Sequence, residues 1–183
     1  MATIAAAGLA SGCSPDPRSK GGYKLSPPPG WARLGPEECS RLVLSGEILE
    51  AHDLKPGVLA VLGTDYLPGT KASELVVQMR YLLLNLPSLK LQSEGEISIA
   101  GAPAARVDAT ADGDGRSLAP TTLGRPATPV AGQPFVPTRR VWIKVPRGRE
   151  RGTLELLLHC PEADYARRKT ELDALLASIR LED

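Results

Sequence analysis

Arg139-Arg140-Val141-Trp142-Ile143-Lys144-Val145-Pro146, answered after a short basic connection by Thr153-Leu154-Glu155-Leu156-Leu157-Leu158-His159-Cys160, is the stretch whose reading decides the fold. Successive strand residues point to opposite faces, so Val141, Ile143 and Val145 share one face while Arg140, Trp142 and Lys144 share the other. Leu154, Leu156 and Leu158 alternate in the same way against Glu155, Leu157 and His159. Two such runs joined by 146–152, with Gly148 and Gly152 in the connection, predict an antiparallel hairpin. Residues 162–180 then predict a closing helix, with Leu172, Leu175, Leu176 and Ile179 on its core face and the run Arg167-Arg168-Lys169 in solvent.

Working outward, 71–86 is the clearest helix. Leu75, Val76, Met79, Leu82, Leu83 and Leu86 fall on one face, Thr70 caps the start, Glu74 stands in the positive first turn, and Pro87 stops it. Short strands follow at 89–92, 96–99 and 105–110, the last two punctuated by Gly101-Ala102-Pro103. Upstream, 22–26 predicts a first strand and Pro27-Pro28-Pro29-Gly30-Trp31 a rigid turn that docks the indole at the edge of the core. Residues 41–50 and 57–66 read as a hairpin about Lys55-Pro56-Gly57. The segment 111–138 differs in kind, because five prolines and four glycines in 28 residues show no periodicity. A connection that long is functional or disordered, and a mobile loop is expected.

The N-terminal run 3–12 is uncharged and rich in small apolar residues, and it ends at Cys13. It resembles the tail of a bacterial lipoprotein signal, in which the Cys13 thiol receives a diacylglyceryl group. Two departures stand against it: no Lys or Arg precedes the run, and Ala10 stands where Leu is usual, with Leu9 one place earlier. The alternative is a cytosolic tail that happens to contain Cys13. Residues 14–22 carry no periodic pattern and suit a flexible tether. The expected organisation is a degenerate signal and tether at 1–22 and one domain at 23–183. No stretch reaches the roughly 20 apolar residues of a spanning helix, so any membrane attachment is through lipid alone. Cys39 and Cys160 are either a disulfide of an oxidising compartment or two buried thiols.

Lys and Arg number 22 against 21 Asp and Glu, which gives no overall pull towards nucleic acid. With aromatics at 4%, the core is built from Leu, Val, Ile and Ala. The order of Tyr23-Lys24-Leu25-Ser26-Pro27 and Gly30-Trp31, the amphipathic helix, Ile97-Ser98-Ile99-Ala100-Gly101-Ala102-Pro103-Ala104-Ala105-Arg106, the hairpin, and Cys160-Pro161-Glu162-Ala163-Asp164-Tyr165 leading to Leu176-Ala177-Ser178-Ile179-Arg180-Leu181 resembles the PsbP-like superfamily. That group holds the extrinsic photosystem II proteins and DcrB-type bacterial lipoproteins. The resemblance covers 22–110 and 139–181. It implies an α+β fold, an α-β-α sandwich with a central antiparallel sheet flanked by helices, and it brings no active site.

Catalytic constellations are not evident. His159 and Cys160 are strand neighbours pointing to opposite faces, which argues against a nucleophile pair, and His52 reads as a packed histidine. Asp108, Asp112 and Asp114 lack the acidic twelfth position of a calcium loop. No hydrolase elbow, phosphate-binding Gly-Lys-Ser/Thr loop or Cys-X-X-Cys pair occurs, and no cofactor is expected. The surviving charge feature is Arg139, Arg140, Lys144, Arg147, Arg149 and Arg151, opposed only by Glu150. With Trp142 as aromatic anchor it suits an acidic envelope protein or another anionic surface, or else it only guards a sheet edge. If a second helix covers the face bearing Glu155, Leu157 and His159, that face is core. The expected function is therefore a lipid-anchored, extracytoplasmic, non-enzymatic binding or assembly module. A small-ligand carrier or enzyme with a cleft lined by Trp142, Tyr66 and His159 is the alternative, and a cytosolic adaptor or chaperone is a third reading.

Overall fold

The computed structural model describes residues 22–40, 42, 46–65, 70–84, 89–111, 137–147 and 152–182, without the side chains of 83 and 84. In chain order the elements are β1 (Tyr23–Lys24), β2 (Ala32–Arg33), α1 (Pro36–Cys39), β3 (Glu47–Asp53), β4 (Val58–Thr64), α2 (Ala72–Leu84), β5 (Leu89–Ile99), β6 (Ala102–Ala111), β7 (Thr138–Pro146), β8 (Thr153–Pro161), α3 (Tyr165–Ser178) and β9 (Arg180–Leu181). A 3-10 turn, Glu162–Asp164, leads into α3. The sheet runs β2-β3-β4-β8-β7-β6-β5 with every pairing antiparallel.

The β7–β8 hairpin stands in the middle of that order, and its register sets the two faces. Val141 lies opposite Leu158, Ile143 opposite Leu156 and Val145 opposite Leu154. These side chains form the main core with Leu59, Val61, Ile99 and the α3 residues Leu172, Leu175 and Ile179. On the other face Leu75, Val76 and Met79 of α2 cover Ala105, Val107, Ala109 and Trp142. Beside them Cys39 of α1 covers Ala51, Ala60 and Leu62. Small alanines on β6 and large aliphatics on β7 and β8 let one face accept α2 closely while the other interdigitates with α3.

Several sequence expectations are corrected. The first strand of the upstream hairpin runs Glu47–Asp53 rather than 41–50, because the turn at Lys55-Pro56-Gly57 places Asp53 opposite Val58 and Glu47 opposite Gly63. The segments 89–92 and 96–99 are one strand, β5, with a bulge between Leu91 and Ser93. The extra residue, Gln92, reverses the alternation. Leu89 therefore packs with the α2 cluster, whereas Ile97 and Ile99 join the α3 core. Leu82, expected on the buried face, is 50% exposed. At about 100° per residue it lies roughly 70° from the centre of the Ala72-Leu75-Val76-Met79 stripe. Arg168, expected in solvent, is buried, because it continues the stripe of Leu172, Leu175 and Ile179 by one turn. Leu86, Pro87, most of the loop at 111–138, and residues 1–21 lie outside the described residues.

The two short strands β1 and β9 form a separate clasp with Tyr23 opposite Leu181 and Lys24 opposite Arg180. The Glu182 amide donates to the Gly22 carbonyl at 2.7 Å. The Arg147 guanidinium donates to that same carbonyl at 3.1 Å and to the Glu182 carbonyl at 2.6 Å.

Candidate functional site

The charged residues singled out in the hairpin do not form one surface, because strand alternation sends them to two faces. Arg139 points to the α3 side. Its Nη2 lies 2.6 Å from Glu162 Oε1, and its guanidinium stacks 4.2 Å from the centre of the Tyr165 ring. Arg140, Trp142 and Lys144 point to the side covered by α2. Arg147 closes the terminal clasp, and Arg149 and Arg151 lie outside the described residues. The picture of a freely exposed basic patch with Trp142 as its anchor is thereby corrected: Arg139, Lys144 and Arg147 are paired inside the molecule, Arg140 is buried, and Trp142 packs under α2.

Beneath α2 the sheet carries a row of polar pairs. Glu155, 2% exposed, lies directly across from Lys144 and receives its Nζ at 2.7 Å. It also accepts from Trp142 Nε1 at 2.9 Å and Thr64 Oγ1 at 2.8 Å. The Lys144 ammonium lies 4.8 Å from the centre of the Trp142 ring. Three donors, one of them a cation, compensate the buried carboxylate, as such a group requires. A pocket of about 60 Å³ opens beside this cluster, lined in part by Thr64, Thr70, Gln78, Lys144 and Thr153. Substrate pockets run to several hundred Å³, so this one holds no more than a few waters.

Two pairs further along, Arg140 stands opposite His159. Burial, reinforced by the neighbouring guanidinium, pulls the His159 pKa down to about 4, so the ring is neutral near pH 7. Burial likewise pulls the Arg140 pKa down to about 10. Nε and Nη2 of Arg140 are buried without a hydrogen-bond partner, as is the hydroxyl of Thr138 on the same face. Sequence reading named Arg140 as a surface cation and did not single out Thr138. Their i, i+2 spacing in an alternating strand was the signal that they share a face.

On the α3 side, Asp108 is held side-on by Arg106 at 2.9 and 3.1 Å and receives the Tyr165 hydroxyl at 2.5 Å. Burial and that hydrogen bond push the Tyr165 pKa up to about 12. This use of Asp108 ends its comparison with a calcium loop, and Asp112 and Asp114 lie outside the described residues. Among the described residues no group of three or more His, Cys, Asp or Glu is placed to hold a metal. His52 is packed 6.3 Å from the Trp31 ring, with Nε2 3.3 Å from Glu50. Trp31 docks as expected, its Nε1 donating to Glu171 at 2.9 Å. Tyr66 lies outside the described residues, and with it the cleft drawn from Trp142, Tyr66 and His159. Cys160 is a buried free thiol, and the pair with Cys39 is not formed. Cys39 is disulfide-bonded, with its partner outside the described residues.

An antiparallel seven-stranded sheet with α3 on one face and α1 and α2 on the other defines an α+β domain of PsbP-like fold. The chain is similar to cyanobacterial PsbP, CyanoP, from Synechocystis sp. PCC 6803, with a TM-score of 0.53 at 13% identity over 99% of this chain and 98% of that one. It is also similar to LpqN of Mycobacterium tuberculosis, described as involved in cell envelope biogenesis, with a TM-score of 0.52 at 12% identity over 88% and 83%. No family model and no curated protein sequence matches the chain.

Proposed function

We propose that this chain is a non-enzymatic binding or assembly module of the bacterial cell envelope, with 23–183 as its exported domain and lipid on Cys13 as its anchor. The observation that carries the reading is how the side chains are spent. Glu155, Asp108, Arg106, Arg139 and Lys144 are satisfied within the fold, whereas Val77, Tyr81 and Leu82 of α2 and Leu91 of β5 are 54, 67, 50 and 38% exposed. Solvent-facing apolar side chains of this size mark contact surfaces more often than reaction centres. LpqN, with its envelope role, supports the address. Arg149 and Arg151, in the sequence between β7 and β8, supply the charge that steers an acidic partner or an anionic surface.

The Cys13 thiol can be used once, as a lipid thioether or in a disulfide with Cys39. Cells fed labelled palmitate and analysed by mass spectrometry of the 13–40 region distinguish the two. Acylated Cys13 supports the anchor; a Cys13–Cys39 disulfide removes the anchor and keeps export, and unmodified Cys13 in the cytosol removes both. For the contact surface, a photo-crosslinker at Tyr81 should trap one defined protein that a crosslinker at Ser98 does not, and V77D should abolish the adduct without unfolding the domain. Equal adducts at both positions would remove α2 from the reading. A second reading, a carrier of small ligands, is favoured by the unpartnered guanidinium of Arg140.

A further inference from the structure

Arg140 is more than nine-tenths buried, and its donors Nε and Nη2 have no hydrogen-bond partner. Burying a guanidinium without a counter-charge costs several kcal/mol, and this one stands on the sheet face that packs against α2, opposite Ala109. The unpartnered atoms are informative. Nε–H and Nη2–H lie on the same edge of the guanidinium and point in parallel, which is the edge that holds two oxygens of a carboxylate or phosphate side-on. Arg106 uses the same edge on Asp108.

Thr138 stands two residues before Arg140 on the same face, and its buried Oγ1 is also unpartnered. His159 lies directly across β8, neutral, with nitrogens that donate or accept. The backbone neighbours are Ala109 on β6, opposite Arg140, and Ala111, opposite Thr138. Neither contributes a charge or a bulky side chain.

We propose that Arg140 and Thr138 form a receptor for a small oxyanion, a carboxylate or phosphate group bound side-on to the guanidinium, with Thr138 donating a third hydrogen bond. The proposal does not depend on the envelope address or on the contact surface of α2.

The test uses the whole chain titrated with inorganic phosphate and with acetate, against chloride at matched ionic strength. Thermal stability and the Nε–H resonance of Arg140 are followed together. One of the two oxyanions should raise the melting temperature, because ligand bound only to the native state stabilises it, and should move that resonance. R140M should lose the response, and T138V should weaken apparent affinity by about tenfold, the equivalent of one hydrogen bond to a charged group. Vesicles of phosphatidylglycerol against phosphatidylcholine separate a lipid headgroup from a free anion as the source. The proposal fails if neither anion moves the Arg140 resonance, if R140M responds as strongly as the parent, or if the guanidinium is found on a carboxylate of the chain itself. Should R140M not fold, the resonance of the parent protein decides alone.

Discussion

Arg140 and His159 face each other across the β7–β8 ladder, and this pairing, with the burial of both, holds the imidazole neutral. The unfolded chain takes up a proton as pH falls through about 6.5, whereas the folded one waits until about 4. The stability this neutral ring preserves is complete above pH 6.5 and is lost progressively down to pH 4. At about 1.4 kcal/mol per pH unit the interval bounds the loss near 3 kcal/mol, and the ring's partial exposure lowers it. H159Q should flatten the difference between urea midpoints at pH 7 and pH 4.5 relative to the parent protein. An identical pH dependence in the two proteins would remove His159 as its source.

Glu155 is the acceptor for Lys144, Trp142 and Thr64 at once. E155L leaves a mostly buried ammonium and an indole N–H uncompensated and should cost about 3–5 kcal/mol by urea denaturation. E155Q keeps an acceptor and should cost less, about 1–2 kcal/mol. The double change E155L/K144M should recover most of the loss. A single E155L within about 1 kcal/mol of the parent would show that the cluster contributes little.

Gly57 and Gly101 both have positive φ, +113° and +83°, yet their surroundings differ. A Cβ at Gly57 would lie 2.7 Å from the His159 carbonyl oxygen and 3.0 Å from Cys160 Cβ, whereas none lies within 4 Å at Gly101. G101A should therefore cost only backbone strain, about 1 kcal/mol. G57A adds displacement of β8 and should cost about 3 kcal/mol or more. Comparable melting temperatures for the two variants would contradict this.

Cys160 is a free thiol whose pKa burial pushes up to about 12. Iodoacetamide at pH 8 should leave it unmodified in the native protein and label it only in denaturant, since the thiolate is the reactive species. Labelling at the rate of an exposed thiol would mean that the end of β8 around Cys160 opens readily.

The alternation of Val141, Ile143 and Val145 against Leu154, Leu156 and Leu158, and the stripe of Leu172, Leu175 and Ile179, made the central hairpin and the α3 face legible, because period-2 and 3.6-residue patterns report burial directly. The β5 bulge was not legible: one inserted residue flips the pattern midway, and a flipped pattern looks like two strands. The charged residues were the hardest to place. A run of Arg and Lys reads as solvent, yet Arg168 sits on the core stripe and Arg140 under α2. Only the identity of the covering helix decides that, and no local pattern records which helix covers which face. Thr138 was passed over because a hydroxyl at the start of a strand carries no signal until its neighbours are known.

The β1–β9 clasp joins Gly22 to Glu182, with Arg147 bridging both carbonyls. Any pull transmitted through the residues before Gly22 reaches this clasp before it reaches the seven-stranded sheet. The bonds nearest Gly22 meet the load first and open in sequence, as a zipper does. Arg147 follows β7 directly, so the clasp also ties both ends of the domain to the root of the central hairpin.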